Sequence, residues 1–169
     1  MKIQAALLAF SGLILASAAF AETAGTPILA PTVDWAIYGT SPHQPITDAK
    51  VEGGKAVEAQ APGTGGIWEV AGIHWVDGGI AKGDHIVASL WIKSDVPAKA
   101  VFRVEARAGA RDRVNDRFID VGTAWSKQTL DFVAEGNYPT GTTQVAILLN
   151  SGKQTIDLGP ISVVNMGSK

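Results

Sequence analysis

Residues 84–94 read Asp-His-Ile-Val-Ala-Ser-Leu-Trp-Ile-Lys-Ser. Within them Ile86, Ala88, Leu90 and Ile92 alternate with Val87, Ser89, Trp91 and Lys93. A period of two puts one set against a core and the other on the opposite face of a strand. Residues 100–108 repeat the pattern, with Phe102, Val104 and Ala106 on one face and Arg103, Glu105 and Arg107 on the other. Residues 125–134, 144–150 and 155–164 continue the series, and 35–38, 55–61, 68–74 and 117–121 are weaker candidates. Turn residues fall between them, among them Gly53-Gly54, Asp77-Gly78-Gly79, Gly136-Asn137 and Ser151-Gly152. Glycine supplies positive φ and proline presets a turn, so this punctuation has a mechanism. No segment after the first residues sustains a 3.6-residue apolar repeat. Short strands at this spacing predict an all-β fold, a jelly-roll β-sandwich.

Composition narrows the function. The chain has 169 residues, with 14 Lys+Arg against 16 Asp+Glu and no cysteine. A nucleic-acid binder would carry a basic surplus. Without cysteine there is no disulfide framework, thiolate metal site or cysteine nucleophile. Lys2, the apolar run that follows it and Ala19-Phe20-Ala21 form a basic, apolar and small-residue series. That is the arrangement of a secretory signal peptide over residues 1–21. Cleavage before Glu22 leaves an extended lead-in over 22–32 and one domain over 33–167. The mature protein is expected to be exported, periplasmic or extracellular, with no membrane segment.

The charged face of residues 100–108 cannot be core. Matching positions on the other strands are Ser89, Trp91 and Lys93, and Gln144 and Asn150. If these strands are neighbours, Arg103, Glu105, Arg107, Gln144, Asn150 and Trp91 share one polar surface with an aromatic ring in it. Sugars are recognised by that mixture, a flat ring for C–H faces and forked polar groups for hydroxyls. Trp75 and Trp91 are the expected stacking platforms, whereas Trp68 is expected to pack inward and Trp125, at a strand start after Gly-Thr-Ala, to be structural. Catalytic signals are missing. His43, His74 and His85 lack metal-ligand spacing, and there is no GxSxG elbow or phosphate loop. Glu69 shares strand parity with Ala71 and Ile73, which does not describe a catalytic cleft. Residues 111–117 alternate in sign and read as a solvated loop with local ion pairs.

The order of several short motifs carries a family resemblance. Lys82-Gly83-Asp84 leads into Ser89-Leu90-Trp91-Ile92-Lys93-Ser94, Thr123-Ala124-Trp125 opens a later strand, and Gln154-Thr155-Ile156-Asp157-Leu158-Gly159-Pro160 opens the last. Together they resemble carbohydrate-binding modules of families 4 and 9, which accompany xylanases and related glycoside hydrolases. The resemblance implies a galactose-binding-domain-like jelly roll with a concave sheet that binds a glycan, and a separate glycoside hydrolase as a partner. It makes Trp68, Trp91, Trp125 and Gly159 scaffold residues. Many family members hold one structural Ca2+ through an acidic residue of the last strand, a position that Asp157 occupies. The expected function is therefore non-catalytic carbohydrate binding. The alternatives are an envelope interaction protein on the same scaffold and a small jelly-roll glycan hydrolase or lyase.

Overall fold

A computed structural model of the protein describes residues 25–107 and 113–168. Residues 1–21, expected as a signal peptide, lie outside the described residues. The chain forms β1 (Thr26–Thr32), β2 (Ala36–Tyr38), β3 (His43–Thr47), β4 (Lys55–Pro62), β5 (Ala71–Val76), β6 (Asp84–Ser94), β7 (Ala98–Ala106), β8 (Arg113–Val121), β9 (Ser126–Val133), β10 (Thr143–Leu148) and β11 (Lys153–Ser168). Two 3-10 turns, Glu52–Gly54 and Ile67–Glu69, interrupt them. All pairing is antiparallel. One sheet runs β3-β4-β11-β6-β9, with β1 also on β11, and the other runs β2-β5-β10-β7-β8. Two packed antiparallel sheets make a jelly-roll β-sandwich, as the alternation predicts.

The core lies between the sheets. Ile86, Leu90 and Ile92 of β6 and Ile156, Leu158 and Ile161 of β11 meet Phe102 and Val104 of β7 and Val145 and Ile147 of β10, all without solvent exposure. Each such side chain contributes about 1.5–3 kcal/mol on burial. The segment expected as a lead-in is part of this body: β1 pairs with β11, and Ile28 and Leu29 are buried. Part of the charged 111–117 stretch, expected as a loop, is strand as well, because β8 begins at Arg113 and pairs with β7.

The outer face of the first sheet is closed by its own loop. Trp91 lies there on β6, a strand that pairs with β9 and β11 and not with β7 or β10. It therefore does not join Arg103 and Gln144, because a period of two gives the face of a strand but not its sheet. Trp91 Nε1 donates to Glu52 at 2.8 Å, and Trp125 Nε1 donates to Asp48 at 2.8 Å. A Cβ on Gly159 would lie 2.8 Å from Trp91 Cβ and 2.8 Å from Val51 Cγ2, so this close approach requires glycine. Trp91, Trp125 and Gly159 thus act as scaffold.

Asp157 belongs to the same cluster. Lys93 Nζ stands 3.1 Å from its carboxylate and 2.9 Å from that of Asp48, and 5.0 Å above the Trp125 ring. Calcium takes about six to eight oxygen ligands. Here an ammonium already faces both carboxylates, and among the described residues no three acidic or histidine side chains gather as a metal site. These residues do not fit the ion that the resemblance implies.

Hydrogen bonds from Trp125, the Lys50 amide and Lys93 hold the Asp48 carboxyl well below the usual carboxylate range. The bond to Asp48 raises Lys93. Burial pushes Asp157 up against the opposing pull of Lys93. A depressed carboxyl stabilises the fold above its unfolded value, about 3.9, and that contribution is lost as pH falls through the folded value. The raised Asp157 acts in the opposite sense. The thermal midpoint of the wild type is therefore expected to drop more between pH 5 and pH 3 than that of Asp48→Asn. Equal drops in the two proteins would remove Asp48 from the acid response.

Candidate functional site

The outer face of the second sheet carries the site, and the strand register arranges it in three rows. In the first, Trp75, Gln144, Glu105 and Arg113 lie side by side across β5, β10, β7 and β8. In the second, Ala36, Ile73, Ala146, Arg103 and Asp116 do so. The third runs Tyr38, Ala71, Leu148, Val101 and Phe118. One end of the face is polar and the other is aliphatic, with an aromatic ring on each edge strand. A cleft of about 470 Å³ opens over these rows.

The polar floor is internally paired. Arg103 lies 3.6 Å from Glu105 and 3.1 Å from Asp116, and Arg113 lies 3.3 Å from Asp116. Gln144 Nε2 donates to Glu105. Glu105 and Gln144 are buried beneath this network. The aliphatic end is a small cluster of its own, in which Ala71, Val101, Ala146 and Leu148 pack with Ile67 and Ile73.

Three aromatic rings flank the cleft, all of them outside the expected site. Trp68 is 65% exposed, Phe118 72% and Tyr38 50%. Trp68, expected to pack inward, instead projects from the Ile67–Glu69 turn at the cleft. Its ring rests on the preceding loop, since a Cβ on Gly66 would lie 2.4 Å from the indole. A side chain at position 66 would displace the ring from this position.

Asn150, expected as a sugar contact, is what holds that loop. Its Oδ1 accepts from the Gly63 amide at 2.8 Å, while its Nδ2 donates to the carbonyls of Thr64 at 2.6 Å and Gly66 at 3.1 Å. Buried and fully engaged, it positions the Trp68 platform and does not face the cleft. Replacing it removes three hydrogen bonds to the loop, each worth a net of about 0.5–1.5 kcal/mol. Asn150→Ala is expected to lower the thermal midpoint and to quench less sharply on ligand addition at Trp68. An unchanged midpoint would contradict the role.

Of the remaining expected residues, Arg103, Glu105 and Gln144 line the cleft together. Trp75 and Arg107 share their sheet but are engaged with each other. The Arg107 guanidinium lies 3.8 Å from the Trp75 ring centroid, a cation–π contact that covers one ring face. Trp75 is half-buried and lies beyond the cleft's lining. The glycine-rich loop before Trp68 and the Phe118/Asp120 alternation against Ile119/Val121 were the sequence signals for the rings that line it.

The chain matches no protein-family model and no curated protein sequence. Solved structures with the same fold are numerous. The second N-terminal cellulose-binding domain of Cellulomonas fimi β-1,4-glucanase C is 17% identical, with 86% of this chain and 96% of that one covered at a TM-score of 0.65. The CBM22-1 xylan-binding domain from Paenibacillus barcinonensis Xyn10C is 16% identical, with 88% and 100% covered at 0.64. The fold is that of a carbohydrate-binding-module jelly roll. A third structure, the Clostridium thermocellum xylanase 10B CBM22-1-GH10 modules complexed with xylohexaose, is 9% identical, with 87% and 29% covered at 0.57.

Proposed function

We propose that the protein is an exported, non-catalytic carbohydrate-binding domain that holds a neutral glycan chain across the outer face of the β2–β8 sheet. The observation that carries this reading is the placement of exposed Trp68 and Tyr38 at one side of a cleft and Phe118 at the other, over a polar floor of Arg103, Glu105, Asp116 and Gln144. Rings take the C–H faces of pyranoses, while the guanidinium and carboxylate groups take hydroxyls. Neighbours of the same fold are named for binding xylan and cellulose, and one stands beside a hydrolase module. A separate glycoside hydrolase is the partner this reading implies, in the periplasm or outside the cell.

Geometry argues against hydrolysis in the cleft. A glycosidase sets two carboxyl groups on either side of the scissile bond. Between Glu105 and Asp116 stands the Arg103 guanidinium, within 3.6 Å of one and 3.1 Å of the other. The bond would have to occupy the same space. Affinity electrophoresis against xylan, β-glucan and alginate tests the reading. Retardation by a neutral glycan is expected, and free migration through every gel would overturn it.

The span of the cleft sets a chain length. From Tyr38 on β2 to Phe118 on β8 the register crosses four strand spacings. At about 4.8 Å each this is roughly 19 Å, room for about four β-linked pyranoses. Calorimetric affinity for an oligosaccharide series is expected to rise up to about four units and then level. Full affinity for a disaccharide would contradict a ligand lying across the strands.

A further inference from the structure

We propose that the cleft selects glycans that carry O-acetyl groups over the same chains without them. The inference rests on the glycan-binding reading and adds the chemistry of the substituent. Its starting point is the separation of the floor into a polar half and an aliphatic half that meet at Arg103. Across the sheet Arg103 neighbours Ala146, and two residues along the same strand face lies Val101. Ala71 and Leu148 complete the aliphatic half, and these four side chains are buried together.

A sugar hydroxyl turned onto that half meets no polar side chain. It gives up its bonds to water without replacement, which is unfavourable. A methyl group there gains by leaving water. The polar half has the complementary bias. Arg103 and Arg113 are donors only, each with five N–H groups, whereas the acceptors facing them are already engaged, Asp116 by both guanidinia and Glu105 by Arg103 and the Gln144 amide. An added group that only accepts fits a donor-rich place. An acetyl ester has both ends in the required order, a carbonyl oxygen that accepts and a methyl group beyond it. Laid across the boundary, its carbonyl faces Arg103 and its methyl faces Val101 and Ala146.

The test is calorimetric titration with acetylated xylo- and glucomanno-oligosaccharides and with the same samples after alkaline deacetylation. Acetylated ligands are expected to bind about tenfold tighter, the scale of discrimination set by one small apolar group in an apolar pocket. Val101→Thr replaces a methyl by a hydroxyl at nearly constant volume and is expected to shrink that ratio to about threefold or less. Binding of both forms with equal affinity, or tighter binding of the deacetylated form, would overturn the acetyl preference while leaving glycan binding intact. A preference unchanged in Val101→Thr would overturn the assignment of the methyl group to this floor. Binding of neither form would overturn this inference together with the reading beneath it.

Discussion

Trp68→Ala is expected to weaken glycan binding by roughly 30-fold or more while leaving the thermal midpoint unchanged. The two halves of that expectation come from different observations. Trp68 is 65% exposed, so its removal leaves no cavity in the core. Substitutions at such positions shift stability by no more than about 0.5 kcal/mol. Binding is another matter. A tryptophan that anchors a ligand carries about 2 kcal/mol or more, equivalent to about 30-fold in Kd. The loop that carries it is also held in advance, because Asn150 ties it at Gly63, Thr64 and Gly66. A preset platform loses little freedom when the ligand arrives. Phe118→Ala, on edge strand β8 across the cleft, is expected to act in the same direction, again without loss of stability. Titration of the two variants beside the wild type measures both effects. If either variant binds at wild-type strength, that ring does not touch the ligand.

The largest expected loss of stability is at Phe102, with Phe102→Ala destabilising the domain by about 3–5 kcal/mol. Phe102 is fully buried on the inner face of β7, between the sheets. Its neighbours along the strand, Val101 and Arg103, point the other way and form the cleft floor. The same strand therefore ties the core to the site. On a domain of this size the change corresponds to a fall of roughly 10 °C or more in thermal midpoint. Urea unfolding of wild type and variant gives the difference directly. A difference under about 1 kcal/mol would mean that the two sheets do not pack around this ring.

The alternation of residues 84–94 matches β6 to the residue, because one face of that strand is buried and the other is only partly covered. The stretch 100–108 is displaced by two residues from β7, Ala98–Ala106, in which Val101 and Glu105 of the outer face are buried as well. β1 and β3 escaped notice for a physical reason. They contain Pro27, Pro31 and Pro45, and proline cannot donate to a ladder. β3 lies at a sheet edge and β1 pairs with one strand only, where such a residue is tolerated. The start of β8 was hidden by its charges, which turn out to pair across the sheet with those of β7.

The site was half legible. Arg103, Glu105 and Gln144 fall on one face because their parity and their sheet agree. Trp91 has the same parity but belongs to the other sheet, and nothing in a period of two distinguishes the sheets. Trp68 sits in a 3-10 turn, where strand parity gives no direction at all. Asn150 lies just past the end of β10, so its side chain follows the loop's needs and not the strand's alternation.

The placement of a glycan chain on the outer face of the β2–β8 sheet is tested most directly by mapping backbone amide shifts during titration with xylohexaose and acetylated xylo-oligosaccharides. The shifts are expected to gather on residues 67–73, 101–105, 113–118 and 144–148, together with the Trp68 indole N–H. Shifts confined to the outer face of the β6 sheet around Trp91 and Lys93, or no shifts with either ligand, would contradict it.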